Sequence, residues 1–137
     1  MKVKDIMSTQ VEYATPETSV KEAAHIMHDL HVGILPVIDD RRIVGVITDR
    51  DICCKVIATG HSAGWTKVAE VMSKNVTTCH EEADIGDATN IMIENHIRRL
   101  AVVNRSDDMV GLLSVDDVAR CSHDMASCVL EASTQLH

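Results

Sequence analysis

Apolar positions along the chain switch between a spacing of three to four and near-continuous runs, and the switches recur in the same order in both halves. Val20, Ala23, Ala24, Met27 and Leu30 follow the helical period, so a helix is expected from Ser19 to about Leu30. Ser19, with Glu22 three residues on, reads as its capping box. A short strand, Val11 to Ala14, precedes it and stops at Thr15-Pro16. The runs Ile34 to Ile38 and Ile43 to Ile47, joined by Asp39-Asp40-Arg41-Arg42, read as a hairpin with both faces covered. A helix is expected from Asp49 to about Ala58. In the other half Asp84 precedes Ile85, Ala88, Ile91 and Met92. The hairpin is Leu100 to Val103 with Met109 to Leu113, its turn (Asn104 to Asp108) one residue longer, and a helix starts near Val115. Val118, Cys121, Met125, Cys128 and Val129 keep one stripe apolar, which predicts that this helix continues as a core or dimer contact. Ser133 to His137 reads as a frayed end.

The recurrence is a sequence repeat. Lys4 to Ile52 returns, 65 to 66 positions later, as Ala69 to Val118. Asp5-Ile6-Met7-Ser8 becomes Glu70-Val71-Met72-Ser73, and Val44-Gly45-Val46-Ile47-Thr48 becomes Val110-Gly111-Leu112-Leu113-Ser114. Copies of roughly 50 residues bury too little surface to stand alone. The expected fold class is therefore α/β (α+β): two βαββα repeats packed about a pseudo-two-fold axis around one shared core, with a cleft available twice. The layout read from the sequence is repeat 1 over 1–60, a linker over 61–67, repeat 2 over 68–122 and a helical tail over 123–137. Trp65 in the linker is expected to be pinned to the body.

Composition narrows the function. The formal net charge of -8 argues against nucleic acid and against anionic membrane surfaces. No apolar run is long enough to span a bilayer, and Met1-Lys2-Val3-Lys4-Asp5 leads into the repeat without a signal-peptide core, so the cytoplasm is expected. The five cysteines fit reduced, buried thiols there better than a disulfide framework. With one Trp, one Tyr and no Phe, a bound base would rest on aliphatic walls and backbone.

Each hairpin closes on the same phrase: Gly45-Val46-Ile47-Thr48-Asp49-Arg50-Asp51 and Gly111-Leu112-Leu113-Ser114-Val115-Asp116-Asp117. Two readings fit. Thr48 and Ser114 serve as helix N-caps whose boxes Asp51 and Asp117 complete. Alternatively, the glycine allows a ligand or another backbone to approach, the hydroxyl and helix start face a phosphate, and the carboxylate accepts both hydroxyls of a ribose.

The paired copies, the Leu35-Pro36-Val37-Ile38 segment and the twice-occurring Gly-x-x-Thr/Ser-x-x-Asp resemble the cystathionine-β-synthase (CBS) domain family over about Lys4 to Arg120. The arrangement is similar to small stand-alone bacterial CBS pairs (Bateman modules). The resemblance implies a homodimer and clefts that hold adenosine ligands: AMP, ADP or ATP, sometimes S-adenosylmethionine or NAD. It implies ribose at Asp51 and Asp117, phosphate or ribose at Thr48 and Ser114, and phosphate facing Arg98 and Arg99. The base is expected near Val32 and Gly33 in one cleft and near Ile97 and Arg98 in the other. Backbone around Met7-Ser8, Met72-Ser73, Ala14-Thr15 and Cys79-His80 is expected to line them. Because Gly33-Ile34 stands where the other copy has Arg98-Arg99, the Ser114/Asp117/Arg99 cleft is expected to be the stronger anion site.

Other motifs read as structural. His25, His28 and His31 fit solvated helix positions better than a metal site, so no metal is expected. Cys53-Cys54 are adjacent, and Cys121 and Cys128 are too far apart along a straight helix to pair. No base or nucleophile accompanies Asp49-x-Asp51, so no enzyme and no obligatory cofactor are expected. The leading expectation is a nucleotide-responsive regulatory module with an unknown effector protein. The competing one is a ligand-free, stress-related interaction module with cysteine redox sensitivity.

Overall fold

The computed structural model describes residues 1–134. The fold consists of two compact units, Glu12–Val76 and Met1–Val11 with Thr77 onward. The packed units are not the sequence repeats. The lead of repeat 1 packs in the unit of repeat 2, and the lead of repeat 2 packs in the unit of repeat 1. The buried hydrophobics form two clusters, one per unit, rather than the single shared core expected.

In the first unit, α1 (Val20–Leu30) starts at Ser19, whose side chain accepts from the Glu22 N–H at 3.1 Å. It buries Val20, Ala23 and Met27 and ends on His31 in the left-handed conformation. β1 (Ile34–Asp39) and β2 (Arg42–Thr48) form the hairpin. Its tip, Asp40 and Arg41, has φ of 50° and 70°, as a two-residue turn with the strands' own twist requires. α2 (Asp49–Ile52) follows, then a π-helical stretch Cys53–Ile57, so the single α-helix expected here changes register. The connection returns along the start of α1: Val20 N–H donates to Thr66 O and Lys21 N–H to Ala63 O, filling donors that a helix start leaves open. α3 (Val68–Val71) then buries Val68 and Val71. Trp65 is 89% exposed, against expectation; Thr66 next to it is the buried residue.

The second unit repeats this plan. β3 (Thr78–His80) runs parallel to β4 (Arg99–Val103), which pairs antiparallel with β5 (Met109–Ser114), while α4 (Ile85–Asn95) and α5 (Val115–Ala119) follow the first unit's pattern. The counterpart of β3 in the first unit, expected at Val11 to Ala14, shrinks to a bridge between Ala14 and Val37. Pro36 stands there where β4 has Ala101, and proline has no N–H to extend the ladder.

The stripe after Val118 is not one helix. The chain turns at residues 120–122 and restarts as α6 (His123–Thr134), which packs on α4 and α5 with Ala126, Val129 and Ser133 buried. Ser133, expected to fray, donates to Leu130 O at 3.1 Å and is 4% exposed; residues 135–137 lie outside the described part. Cys121 and Cys128 are exposed, as are Cys53 and Cys54. Cys79 alone is buried, and burial pushes its thiol up to about 11.

Candidate functional site

Both hairpins end on the predicted caps. Thr48 accepts from the Asp51 N–H at 3.0 Å, and the Thr48 N–H returns a bond to Asp51 Oδ2 at 3.0 Å. Ser114 Oγ accepts from the Asp117 N–H at 3.2 Å, and Asp117 Oδ2 accepts both the Ser114 N–H at 2.9 Å and the Ser114 hydroxyl at 3.0 Å. Such a cap is worth about 1 kcal/mol. The side chains are 13% (Asp51) and 9% (Asp117) exposed, so neither carboxylate sits in open solvent.

The strand glycines have a structural cause. A Cβ on Gly45 would lie 2.7 Å from Ser73 O, and one on Gly111 would lie 2.8 Å from Ser8 O and 2.7 Å from Met7 Sδ. The backbone approaching each glycine is therefore protein. Val46 exchanges two hydrogen bonds with Ser73, and Leu112 two with Ser8. These contacts bring Met72-Ser73 and Met7-Ser8, both expected near the sites, to the strands that lead into Thr48 and Ser114.

The other expected residues divide. Arg99 pairs directly with Ser114 across β4 and β5, which places their Cβ atoms about 5 Å apart on one face. Ile34 holds the matching place opposite Thr48, so the cationic position exists in the second unit and not in the first. Arg98 turns elsewhere: its Nε donates to Ser133 Oγ at 2.9 Å, and its carbonyl receives the Val115 N–H. Gly33 O receives the Asp49 N–H in the same way. Val32 and Ile97 pack partly against the core clusters of their own units.

Two residues that the sequence reading passed over belong to this geometry. Lys55 Nζ binds Asp51 Oδ1 at 3.0 Å and also donates to Val71 O at 3.0 Å. Arg120 Nη2 binds Asp117 Oδ1. A cation one helical turn after the aspartate was the available signal. Between the copies its order with cysteine is reversed, Cys54-Lys55 against Arg120-Cys121. Among the described residues, no group of three or more His, Cys, Asp or Glu is placed to hold a metal. No helix among them is long and apolar enough to cross a membrane.

A repeated hairpin that closes on a hydroxyl-capped aspartate, buried in the second unit and half-buried in the first, defines a paired-repeat module. A family model described as CBS domain matches residues 3–57 and 68–124, and the chain belongs to that family. It is 37% identical over 117 residues to the CBS domain-containing protein YhcV of Bacillus subtilis, covering 85% of this chain and 82% of that protein. Among solved structures it is similar to CBSX2 in complex with AMP: TM-score 0.77, 27% identity, covering 90% of this chain and 97% of that one. It is also similar to the CBS domain pair of MJ0100 in complex with 5′-methylthioadenosine and S-adenosyl-L-methionine, with TM-score 0.74 and 30% identity over 88% of this chain and 98% of that one.

Proposed function

We propose that this chain is a non-catalytic regulatory module that binds an adenosine-type ligand (AMP, ADP or ATP) through Asp117 and Ser114, and through Asp51 and Thr48. The ligand acts by population shift, binding one conformation better than another and passing the difference to an effector protein. The observation that carries this reading is the buried Asp117 carboxylate beside Ser114, with Arg99 directly across the strand pair. A diol accepted by a carboxylate and a phosphate facing a guanidinium suit that combination. The AMP and S-adenosylmethionine named for CBSX2 and MJ0100 support the ligand class. Ile34 opposite Thr48 makes the Asp51 site the weaker one for anions. The working form in this reading is a homodimer.

The test is thermal unfolding with AMP, ADP, ATP, S-adenosylmethionine and NAD, on wild type, Asp51→Ala and Asp117→Ala. A ligand at 100 times its Kd adds about 2.7 kcal/mol, on the order of 5–10 °C in Tm for a chain of this size. The reading requires such a shift in wild type and its loss in Asp117→Ala.

The exposure of Cys53, Cys54, Cys121 and Cys128 favours a second reading, an interaction module whose assembly responds to oxidation. No Tm shift with any adenosyl ligand, together with a change of mass in solution on oxidation, would select it.

A further inference from the structure

The hydrogen-bonding capacity of Asp117 is nearly filled by the protein itself. A carboxylate oxygen has two lone-pair positions. On Oδ2 the Ser114 N–H and hydroxyl take both. A ligand diol must therefore be received by Oδ1, which is where the Arg120 guanidinium sits. Arg120 is the C-cap of α5, its side chain is 71% exposed, and Asp117 is its one side-chain partner among the described residues. In the first unit the equivalent cation is anchored twice, since Lys55 holds both Asp51 Oδ1 and Val71 O.

Given the reading that Asp117 receives a ribose, we propose that Arg120 is a specificity-determining counter-ion of the second unit. Without ligand it neutralises the buried carboxylate. A diol arriving at Oδ1 displaces it, and the released guanidinium pairs with an anionic group of the same ligand. Displacement has to be repaid by that new pair, so the arrangement disfavours a neutral nucleoside and favours a phosphorylated one. The doubly held Lys55 does not move in this way. The asymmetry between the two sites thus lies in the mobility of the cation as well as in the Arg99–Ile34 difference.

The experiment is calorimetric titration of AMP and of adenosine into wild type, Arg120→Gln and Arg105→Gln, at low salt, with the Tm of each variant recorded. Wild type is expected to bind AMP at least about tenfold tighter than adenosine, the scale of one charge-assisted hydrogen bond. In Arg120→Gln adenosine tightens, AMP weakens and the ratio collapses toward one, while Arg105→Gln, in the turn between β4 and β5, keeps the wild-type ratio. If both ligands bind but Arg120→Gln keeps the wild-type ratio, the counter-ion role is wrong and the ribose reading stands. An equal fall in Arg105→Gln, a loss of surface charge alone, also overturns the role. If neither ligand binds any of the three proteins, the ribose reading itself fails and the inference goes with it.

Discussion

The Nε of Arg98 donates to the Oγ of Ser133 across 2.9 Å, tying the residue that leads into β4 to the last turn of α6. Next to it His96 Nδ1 lies 3.0 Å from Ala132 O, so two contacts fasten the same helix end. This fastening separates Arg98 from Arg99, which stays at the strand position facing Ser114.

Ser133→Ala should therefore loosen α6 without reaching the candidate site. A lost hydrogen bond of this kind costs about 1 kcal/mol, and the Arg98 side chain can still reach water. Urea denaturation should show a destabilisation of that order, and AMP affinity, if measured alongside, should stay at the wild-type value.

Gly45→Ala and Gly111→Ala should each destabilise by about 1–3 kcal/mol, because the new methyl meets backbone carbonyl oxygen below 3 Å. Gly33→Ala meets only the end of the Asp49 side chain at 3.0 Å and should cost less. Parallel denaturant titrations of the three variants check the order; a Gly33→Ala cost equal to the other two would contradict it.

Thiol reactivity should divide the cysteines. Cys53, Cys54, Cys121 and Cys128 should react with a disulfide reagent at pH 8 in the native protein. Cys79 is buried and its thiol is pushed up to about 11, so it should react only on unfolding. Mass spectrometry after timed labelling reads this directly.

Glu82 should show a defined acid signature. Hydrogen bonds from Lys2 and Lys4 hold its carboxyl down to about 2, against an ordinary 4.5. A depressed carboxyl stabilises the fold above its unfolded value and loses that contribution as pH falls through the folded value. Wild type should thus exceed Glu82→Gln in stability at neutral pH. The gap should close between about pH 4.5 and 2 and shrink with salt, because the group is exposed.

These sites show what a sequence exposes and what it hides. Local rules found the caps: Thr48 with Asp51 and Ser114 with Asp117 are spaced to bond within one turn, and they do. The hairpins were equally legible, because their apolar runs and turn residues act over a few positions. Features that depend on distant partners were not. Trp65 has the composition of an anchor, but Thr66 fills that place. Four cysteines sit at apolar-looking positions and are exposed, since the chain breaks before α6 and shifts to π register after Ile52. The exchange of leading segments between units was hidden for the same reason. Ser8 against Gly111 and Ser73 against Gly45 reveal it, as do the bonds of Lys2 and Lys4 to Glu82. Within the candidate site, Arg98 and Arg99 look alike in sequence. The pairing of one with Ser114 and the capture of the other by Ser133 appear only in the folded chain.

The most direct test of the central claim, that the buried carboxylate in the first turn of α5 receives a ribose diol, is calorimetric titration with AMP against 2′,3′-dideoxy-AMP, repeated on Asp117→Asn. Wild type should bind AMP about tenfold or more tighter than the dideoxy compound, and Asp117→Asn should remove most of the difference. Equal affinity of wild type for the two compounds, or no binding of AMP at all, would contradict it.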